Sequence, residues 1–219
     1  MAKKVGVVLS GCGVLDGAEI HEAVITMLAL DRQGAEMVLC APDRDQLHVI
    51  NHLTGEVVEG ERRNVLVEAA RIARGAICDV AEVTADELDA LILPGGFGAA
   101  KNLCDFALQG PDCQVDAGVA RLVREVHAQG KPVAAVCIAP ALLARVLGDA
   151  GPRLTIGTEA ASAGALEKLG AHHVVCPVTE AVVDRERKLV TSPAYMLAGR
   201  ISEAAEGIEK TVTELLKMA

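Results

Sequence analysis

Aromatic side chains are almost absent from this sequence. It has no tryptophan, one tyrosine and two phenylalanines, although 51% of its 219 residues are hydrophobic. Any core must therefore be built from alanine, valine, leucine and isoleucine, a composition that suits a parallel sheet covered by helices. A chain of this length can form one large domain with a substantial core, and we expect a single domain over residues 1–219.

Membrane and secretion signals are also missing. No apolar run reaches the roughly 18 residues that suggest a membrane span. The N-terminal residues 1–5 lack the apolar region and small-residue cleavage site of a signal peptide. The net charge is −9 and no basic patch is visible, so neither nucleic acid nor a membrane is an expected partner.

Seven cysteines are scattered through the chain without CxxC spacing. An odd number with this spacing argues against a disulfide framework and against a structural zinc site. We therefore expect a cytoplasmic protein with reduced thiols and no bound metal.

Strand-like and helix-like segments alternate along the chain, which is typical of a doubly wound α/β protein with a mostly parallel sheet and helices on both faces. Ligands of such sheets bind beyond the carboxyl ends of the strands. The predicted strands are 5–9, 37–41, 90–93, 132–136, 174–175, 181–184 and 189–191. The predicted helices are 18–33, 64–74, 115–129, 140 onwards, 160–169 and 194–218.

The strongest chemical signal lies at Cys137. An apolar strand stops at this residue, and a helical pattern begins at once with Pro140 in its first turn. A strand that turns into a helix at a reactive residue is the geometry of a nucleophile elbow. The N–H groups and dipole of the new helix favour a thiolate there. A buried core cysteine is the other interpretation of this segment alone.

A glycine-rich loop, 10–17, follows the first predicted strand. It is not a dinucleotide fingerprint, because G-x-G-x-x-G requires glycine where the chain has Asp16. A nicotinamide cofactor is therefore not expected. The loop ends a strand of the same sheet, and we expect Gly11 and Cys12 to contribute to substrate binding.

A second glycine-rich turn contains Gly95 and Gly96 and follows the strand 90–93. It is either an ordinary tight turn or an oxyanion hole shared with the N–H of Ile138. Because a cysteine elbow is predicted in the same sheet, we favour the oxyanion hole.

Two glutamates, Glu19 and Glu22, begin the first helix one turn apart. They either complement the helix dipole, or supply a protonated carboxyl that donates to Cys137 and lowers its pKa. A cysteine hydrolase usually also needs a histidine base, but no flanking pattern identifies one among the six histidines.

Together these segments resemble the class I glutamine amidotransferase-like superfamily, in its PfpI and protein-deglycase branch, and most closely the ElbB group of that branch. The resemblance implies a flavodoxin-like fold over 1–219, with Cys137 as the nucleophile and Glu22 bonded to it. Glu19 falls one turn earlier, where we expect it to contribute to substrate binding. It also implies cofactor-free conversion of small aldehydes to hydroxy acids, and a homodimer. The segments that carry it are 10–14, 16–17, 19–23, 51–55, 94–103, 137–140 and 193–197.

The sequence departs from this superfamily where a histidine base is expected. Glutaminases carry His-Pro-Glu after a late strand, whereas this chain has Ser192, Pro193 and Ala194. Members of the deglycase branch often have a histidine about one strand after the cysteine, and the segment 154–158 contains none. Glutaminase and protease activity are therefore not expected.

These observations predict a glyoxalase III-like lyase that acts on a small aldehyde or dicarbonyl substrate without a cofactor. The alternative is a redox-responsive regulatory protein, linked to isoprenoid biosynthesis, in which Cys137 is oxidised. A third interpretation is an amidotransferase subunit without a glutaminase of its own.

Overall fold

A computed structural model describes residues 2–219 of the chain. The strands are β1 (Lys4–Val8), β2 (Glu36–Ala41), β3 (Ile50–Asn51), β4 (Glu56–Val57), β5 (Cys78–Asp79), β6 (Ala90–Leu93), β7 (Val133–Val136), β8 (Arg153–Leu154), β9 (His172–His173), β10 (Val182–Asp184) and β11 (Leu189–Ser192). The α-helices are α1 (Ile20–Arg32), α2 (Val65–Ile72), α3 (Phe97–Lys101), α4 (Phe106–Gln109), α5 (Ala117–Ala128), α6 (Pro140–Leu147), α7 (Ala160–Lys168) and α8 (Ile201–Met218).

Seven strands form the main sheet, in the order β10-β11-β7-β6-β1-β2-β5. Every neighbouring pair in it is parallel except β10 and β11, which run antiparallel at one edge. The predicted mostly parallel sheet is confirmed. The carboxyl ends of β1, β6, β7 and β11 meet at one edge, so the loops after them are neighbours in space.

Helices cover both faces of this sheet, as predicted. Alternate residues of β6 face opposite sides because side chains alternate along a strand. Leu91 and Leu93 pack into the core that contains α5 and α6. Ala90 and Ile92 pack into the core that contains α1, α2 and α8. Within residues 2–219, no helix combines the length and the apolar character needed to cross a bilayer.

Two predicted elements are misplaced. The strand predicted at 174–175 lies at His172–His173, where it pairs with β8, and only the N–H of Val174 continues that pairing. The C-terminal helix begins at Ile201 rather than at 194. Ala194 has a φ of +43°, which a helix does not accommodate.

The start of α8 is fixed instead by Glu203, whose carboxylate accepts the N–H groups of Gly199 and Arg200 at 3.0 and 3.2 Å. The segment between β11 and α8 is therefore not part of the long C-terminal helix. Its residue Tyr195 reaches the site described next.

Candidate active site

Cys137 occupies a sharp turn between β7 and α6. Its φ is +61°, a backbone conformation that is unfavourable for a residue with a side chain and that is often found at functional sites. Its N–H donates to the carbonyl oxygen of Ser192 at 3.0 Å, so β11 holds the turn from one side. The strand-to-helix elbow predicted from the sequence is present.

Glu22 approaches Cys137 from the first turn of α1. Its side chain is completely buried and forms a hydrogen bond with the thiol of Cys137. Oε2 accepts the N–H of Gly95 at 3.0 Å, and Oε1 accepts the N–H of Tyr195 at 3.1 Å. Backbone donors from two separate loops therefore orient the carboxyl group towards the sulfur.

Glu19 has a different structural task. Its Oε2 accepts the N–H of Glu22 at 2.7 Å and so caps the N-terminus of α1. Its own N–H donates to the carbonyl of Gly95 at 2.9 Å. The structure thus brings Glu22, rather than Glu19, into contact with Cys137, and Glu19 fixes the start of the helix.

Burial raises the pKa of Glu22 from its ordinary 4.5 to about 7, although the hydrogen bonds from Tyr195 and Cys137 oppose that rise. Desolvation disfavours the charged form of a carboxyl group. Near neutral pH Glu22 therefore exists in both protonated and ionised forms, which suits a group that accepts and returns a proton.

Cys137 differs from the low-pKa thiolate expected from the sequence. Its side chain is only 7% exposed, and burial together with the charge of Glu22 raises its pKa well above the ordinary value. The N–H groups of Gly96 and Ile138 act in the opposite direction but do not outweigh burial. The geometry therefore favours activation by proton transfer to Glu22 over a resting thiolate.

The glycine turn after β6 supplies part of the predicted donor set. Gly96 and Ile138 direct their N–H groups at the sulfur of Cys137, whereas the N–H of Gly95 is already used by Glu22. A side chain at Gly95 has no space, because its Cβ meets the Cβ of Cys137 and lies 2.6 Å from Oε2 of Glu22.

The glycine-rich loop after β1 is hydrogen-bonded to this turn. The N–H groups of Phe97 and Gly98 donate to the carbonyls of Val14 and Gly17, both at 2.8 Å. Gly11 packs against Gln46 and Gly17. The charged side chains with the largest effect on the pKa of Cys12 are Glu68 and Arg71. The structure does not place Gly11 and Cys12 at the cavity; Val14 of the same loop lines it.

A cavity of about 310 Å³ opens onto Cys137. Its wall is mostly apolar. The lining residues are Val14, Glu19, Gly96, Phe97, Cys137, Ile138, Ser162, Tyr195 and Met196.

Several of these residues were missed by sequence reasoning, above all Tyr195. It is the only tyrosine of the chain, and its Oη lies 2.8 Å from Nδ1 of His21. The sequence predicts a single helix over 194–218, and a residue inside that helix is not expected to direct its N–H and its ring to the site. The signal available was its position two residues after Pro193, within the segment 193–197 that carries the family resemblance.

Outside this cavity the cysteines and histidines make separate contacts; the thiols of Cys104 and Cys113 are hydrogen-bonded to each other. All seven cysteines are free thiols. His52 lies beside Asp16, with Nε2 3.7 Å from Oδ1. Among the residues that the structure describes, no group of three or more His, Cys, Asp or Glu side chains is arranged to hold a metal ion.

Two mammalian proteins resemble this chain over nearly its whole length. The human glutamine amidotransferase-like class 1 domain-containing protein 3, mitochondrial, is 48% identical over 99% of this chain and 84% of its own length. The rat ES1 protein homolog, mitochondrial, is 47% identical over 98% of this chain and 84% of its own length. These names contradict the cytoplasmic location expected from the sequence, which the absence of a signal peptide did not justify.

A solved structure confirms the fold. The isoprenoid biosynthesis protein with amidotransferase-like domain from Ehrlichia chaffeensis is 37% identical, superposes with a TM-score of 0.92, and 99% of each chain is covered. The class I glutamine amidotransferase-like fold implied by the sequence is thereby established. The sequence profile of the DJ-1/PfpI family matches residues 11–198, which include Cys137, Glu22 and the turn at Gly95. The chain belongs to the DJ-1/PfpI family.

Proposed function

We propose that this protein is a cofactor-independent glyoxalase-type enzyme that converts glyoxal or a related small dicarbonyl to a hydroxy acid. The observation that carries the proposal is the buried hydrogen-bonded pair of Cys137 and Glu22 at the end of a small apolar cavity. A buried carboxyl with a pKa of about 7 beside a protonated thiol is suited to repeated proton transfer.

In the proposed reaction Glu22 takes the thiol proton while the sulfur of Cys137 attacks one aldehyde carbon. The N–H groups of Gly96 and Ile138 stabilise the oxygen of the resulting hemithioacetal. Glu22 returns its proton to that oxygen, then moves the hydrogen of the attacked carbon, as a proton, to the neighbouring carbon. As the hemithioacetal hydroxyl loses its proton and the neighbouring carbonyl oxygen gains one, the attacked carbon is oxidised to a thioester and its neighbour is reduced to an alcohol. Water then cleaves the carbon–sulfur bond and releases the hydroxy acid.

The cavity favours a neutral substrate. Its side chains are mostly apolar, and the ionisable carboxyl of Glu19 lies in its wall while no lysine or arginine lines it. An anionic substrate thus meets repulsion without a compensating cation. Glutamine hydrolysis is disfavoured for a separate reason, since Ser192 and Ala194 stand where a histidine and an acid are needed to activate the thiol and protonate ammonia.

The experiment follows glyoxal by NMR with wild-type protein and the Cys137→Ser variant, in the presence of a chelator. We expect slow formation of glycolate by the wild type and none by Cys137→Ser, because a serine hydroxyl stays protonated beside a weak base. Cys12→Ser is the matched control and should retain wild-type activity. Glycolate formation that survives in Cys137→Ser, or ammonia release from glutamine, contradicts the proposal.

A regulatory function is the second candidate, and the same geometry supports it. The carboxyl of Glu22 and the N–H groups of Gly96 and Ile138 surround the sulfur, where they are able to stabilise the oxygens of a sulfinate formed with two equivalents of hydrogen peroxide. The name of the Ehrlichia relative refers to isoprenoid biosynthesis, in line with assignment to the ElbB group. Mass spectrometry after peroxide treatment tests this candidate: addition of two oxygens at Cys137, with no aldehyde turnover, favours it.

The proposal includes a homodimer. Ile20, Val24 and Leu28 lie four residues apart on α1 and are 43%, 47% and 42% exposed, so they form an apolar ridge on the surface. This ridge begins two residues before Glu22. A second copy packed on it covers apolar surface that otherwise faces water.

A further inference from the structure

We infer that Tyr195, held by His21, is a catalytic acid that protonates the second carbonyl oxygen of the dicarbonyl substrate. This inference rests on the proposed glyoxalase function and adds to it a residue that neither the sequence nor the family resemblance singled out. It is carried by the position of the Tyr195 ring in the cavity wall and by its 2.8 Å contact with His21.

The proposed reaction develops negative charge on two oxygens in turn. The first is the oxygen on the attacked carbon, which lies beside the sulfur and therefore near the N–H groups of Gly96 and Ile138. The second appears on the neighbouring carbon when the carbon-bound hydrogen leaves and the enediolate forms. That oxygen lies farther from the sulfur, towards the open cavity, and it requires a separate donor.

The polar side chains in the cavity wall leave one candidate for this donor. Glu19 is used as the cap of α1, and the hydroxyl of Ser162 is hydrogen-bonded to Glu159. Cys137 is the nucleophile. Tyr195 remains, with a half-buried ring and a hydroxyl that contacts His21.

The contact with His21 prepares this hydroxyl for donation. In the tautomer that carries its hydrogen on Nδ1, His21 donates to Oη of Tyr195 and leaves the phenolic hydrogen free for the substrate. The imidazole itself is exposed. Burial and the nearby carboxyls of Glu19 and Glu22 also raise the pKa of Tyr195, and the phenol therefore remains protonated at neutral pH.

The proton transfers of this reaction balance without any further reactant. Glu22 carries the hydrogen of the attacked carbon to its neighbour, and Tyr195 gives a proton to the second oxygen, which becomes the product hydroxyl. When the thioester carbonyl forms, the hemithioacetal hydroxyl loses its proton to solvent. One proton from solvent restores the hydroxyl of Tyr195.

The test uses Tyr195→Phe, which keeps the ring and the backbone N–H that orients Glu22. We expect kcat for glyoxal to fall by about 100-fold with KM nearly unchanged. The rate at which iodoacetamide alkylates Cys137 should remain that of the wild type, because the thiol and Glu22 are undisturbed. A purely structural contribution of the ring changes both rates together.

His21 is tested as a positioning residue by a matched pair of variants. Asn places an amide group where His21 places Nδ1, so His21→Asn should retain most of the activity, whereas His21→Leu should resemble Tyr195→Phe. If Tyr195→Phe or His21→Leu turns over glyoxal within twofold of the wild type, this inference is wrong while the proposed function stands. If the wild type forms no glycolate, the proposed function fails and the inference fails with it.

Discussion

Replacing Glu22 by glutamine should destabilise the protein at low pH, and this loss of stability should disappear as the pH rises. Both carboxyl oxygens of Glu22 accept backbone N–H groups, from Gly95 and Tyr195. A protonated carboxyl still accepts both, whereas the amide of Glu22→Gln presents its NH2 group to one of these donors. A buried N–H left without an acceptor costs about 1–3 kcal/mol, so at pH 5 the variant should be less stable than the wild type by about that amount.

The wild type loses this advantage as the pH rises. The pKa of Glu22 is 4.5 in its ordinary state and about 7 in the folded protein. Between these values the unfolded chain is ionised while the folded protein keeps its proton, so raising the pH favours unfolding. At about 1.4 kcal/mol for each pH unit, the wild type loses about 3 kcal/mol between pH 4.5 and pH 7 and nothing further above that range. The variant has no such group.

The assay is urea unfolding of both proteins at several values from pH 5 to pH 8, followed by far-UV circular dichroism because the chain has no tryptophan. Other titrating groups are common to both proteins and cancel in the difference between their free energies of unfolding. We expect that difference to shrink by about 3 kcal/mol over this interval and to vanish or reverse by pH 8. A difference that stays constant with pH refutes the raised pKa of Glu22.

Three further predictions concern the same region. Gly95→Ala should destabilise the protein by about 1–3 kcal/mol in thermal unfolding, because its Cβ collides with Cys137 and Glu22. In the control Gly164→Ala, the new Cβ meets no atom within 4 Å in α7, and this variant should be more stable by about 0.5–1 kcal/mol. Equal effects of the two substitutions contradict the packing argument. Alkylation of Cys137 by iodoacetamide, mapped by mass spectrometry, should accelerate as the pH rises through about 7, where Glu22 becomes available as a base; an unchanged pH profile in Glu22→Gln excludes that coupling. Val24→Lys places a charge on the exposed ridge of α1 and should convert a dimer to a monomer in light scattering, while an unaffected dimer places the interface elsewhere.

The sequence was sufficient where a local pattern determines the structure. The elbow at Cys137 was predictable because an apolar strand, a reactive residue and a proline at a helix start are adjacent in the chain. The first helix and its two glutamates were predictable as well. Their separate tasks were not, because they depend on which glutamate reaches Cys137 and the turn at Gly95, and Gly95 lies 73 positions beyond Glu22 in the chain. The resemblance to a family, rather than periodicity, indicated Glu22.

The cavity could not be predicted in the same way. Tyr195 enters it because Ala194 adopts a positive φ and because Glu203 caps α8 at Arg200. Both features depend on tertiary contacts, which override the helical propensity of the segment. The pKa of Cys137 was mispredicted for a related reason: the helix N–H groups are visible in the sequence pattern, but the burial that outweighs them is known only once the surrounding loops are in place.

The contacts of Glu22 also bear on how the protein folds. One carboxyl group joins α1 to the loop after β6, the elbow after β7 and the segment after β11, so its partners are separated by up to 173 positions along the chain. Contacts of such long range form late and slowly, since the intervening chain must be ordered before they are made. The reactive cysteine therefore acquires its partner only when nearly the whole sheet is assembled, and a partly folded or truncated chain exposes a thiol that has no proton acceptor beside it. The pairing of Cys137 with Glu22 therefore requires the completed fold. Protection of the Gly95 and Tyr195 amide hydrogens from exchange with solvent should show when the pair has formed.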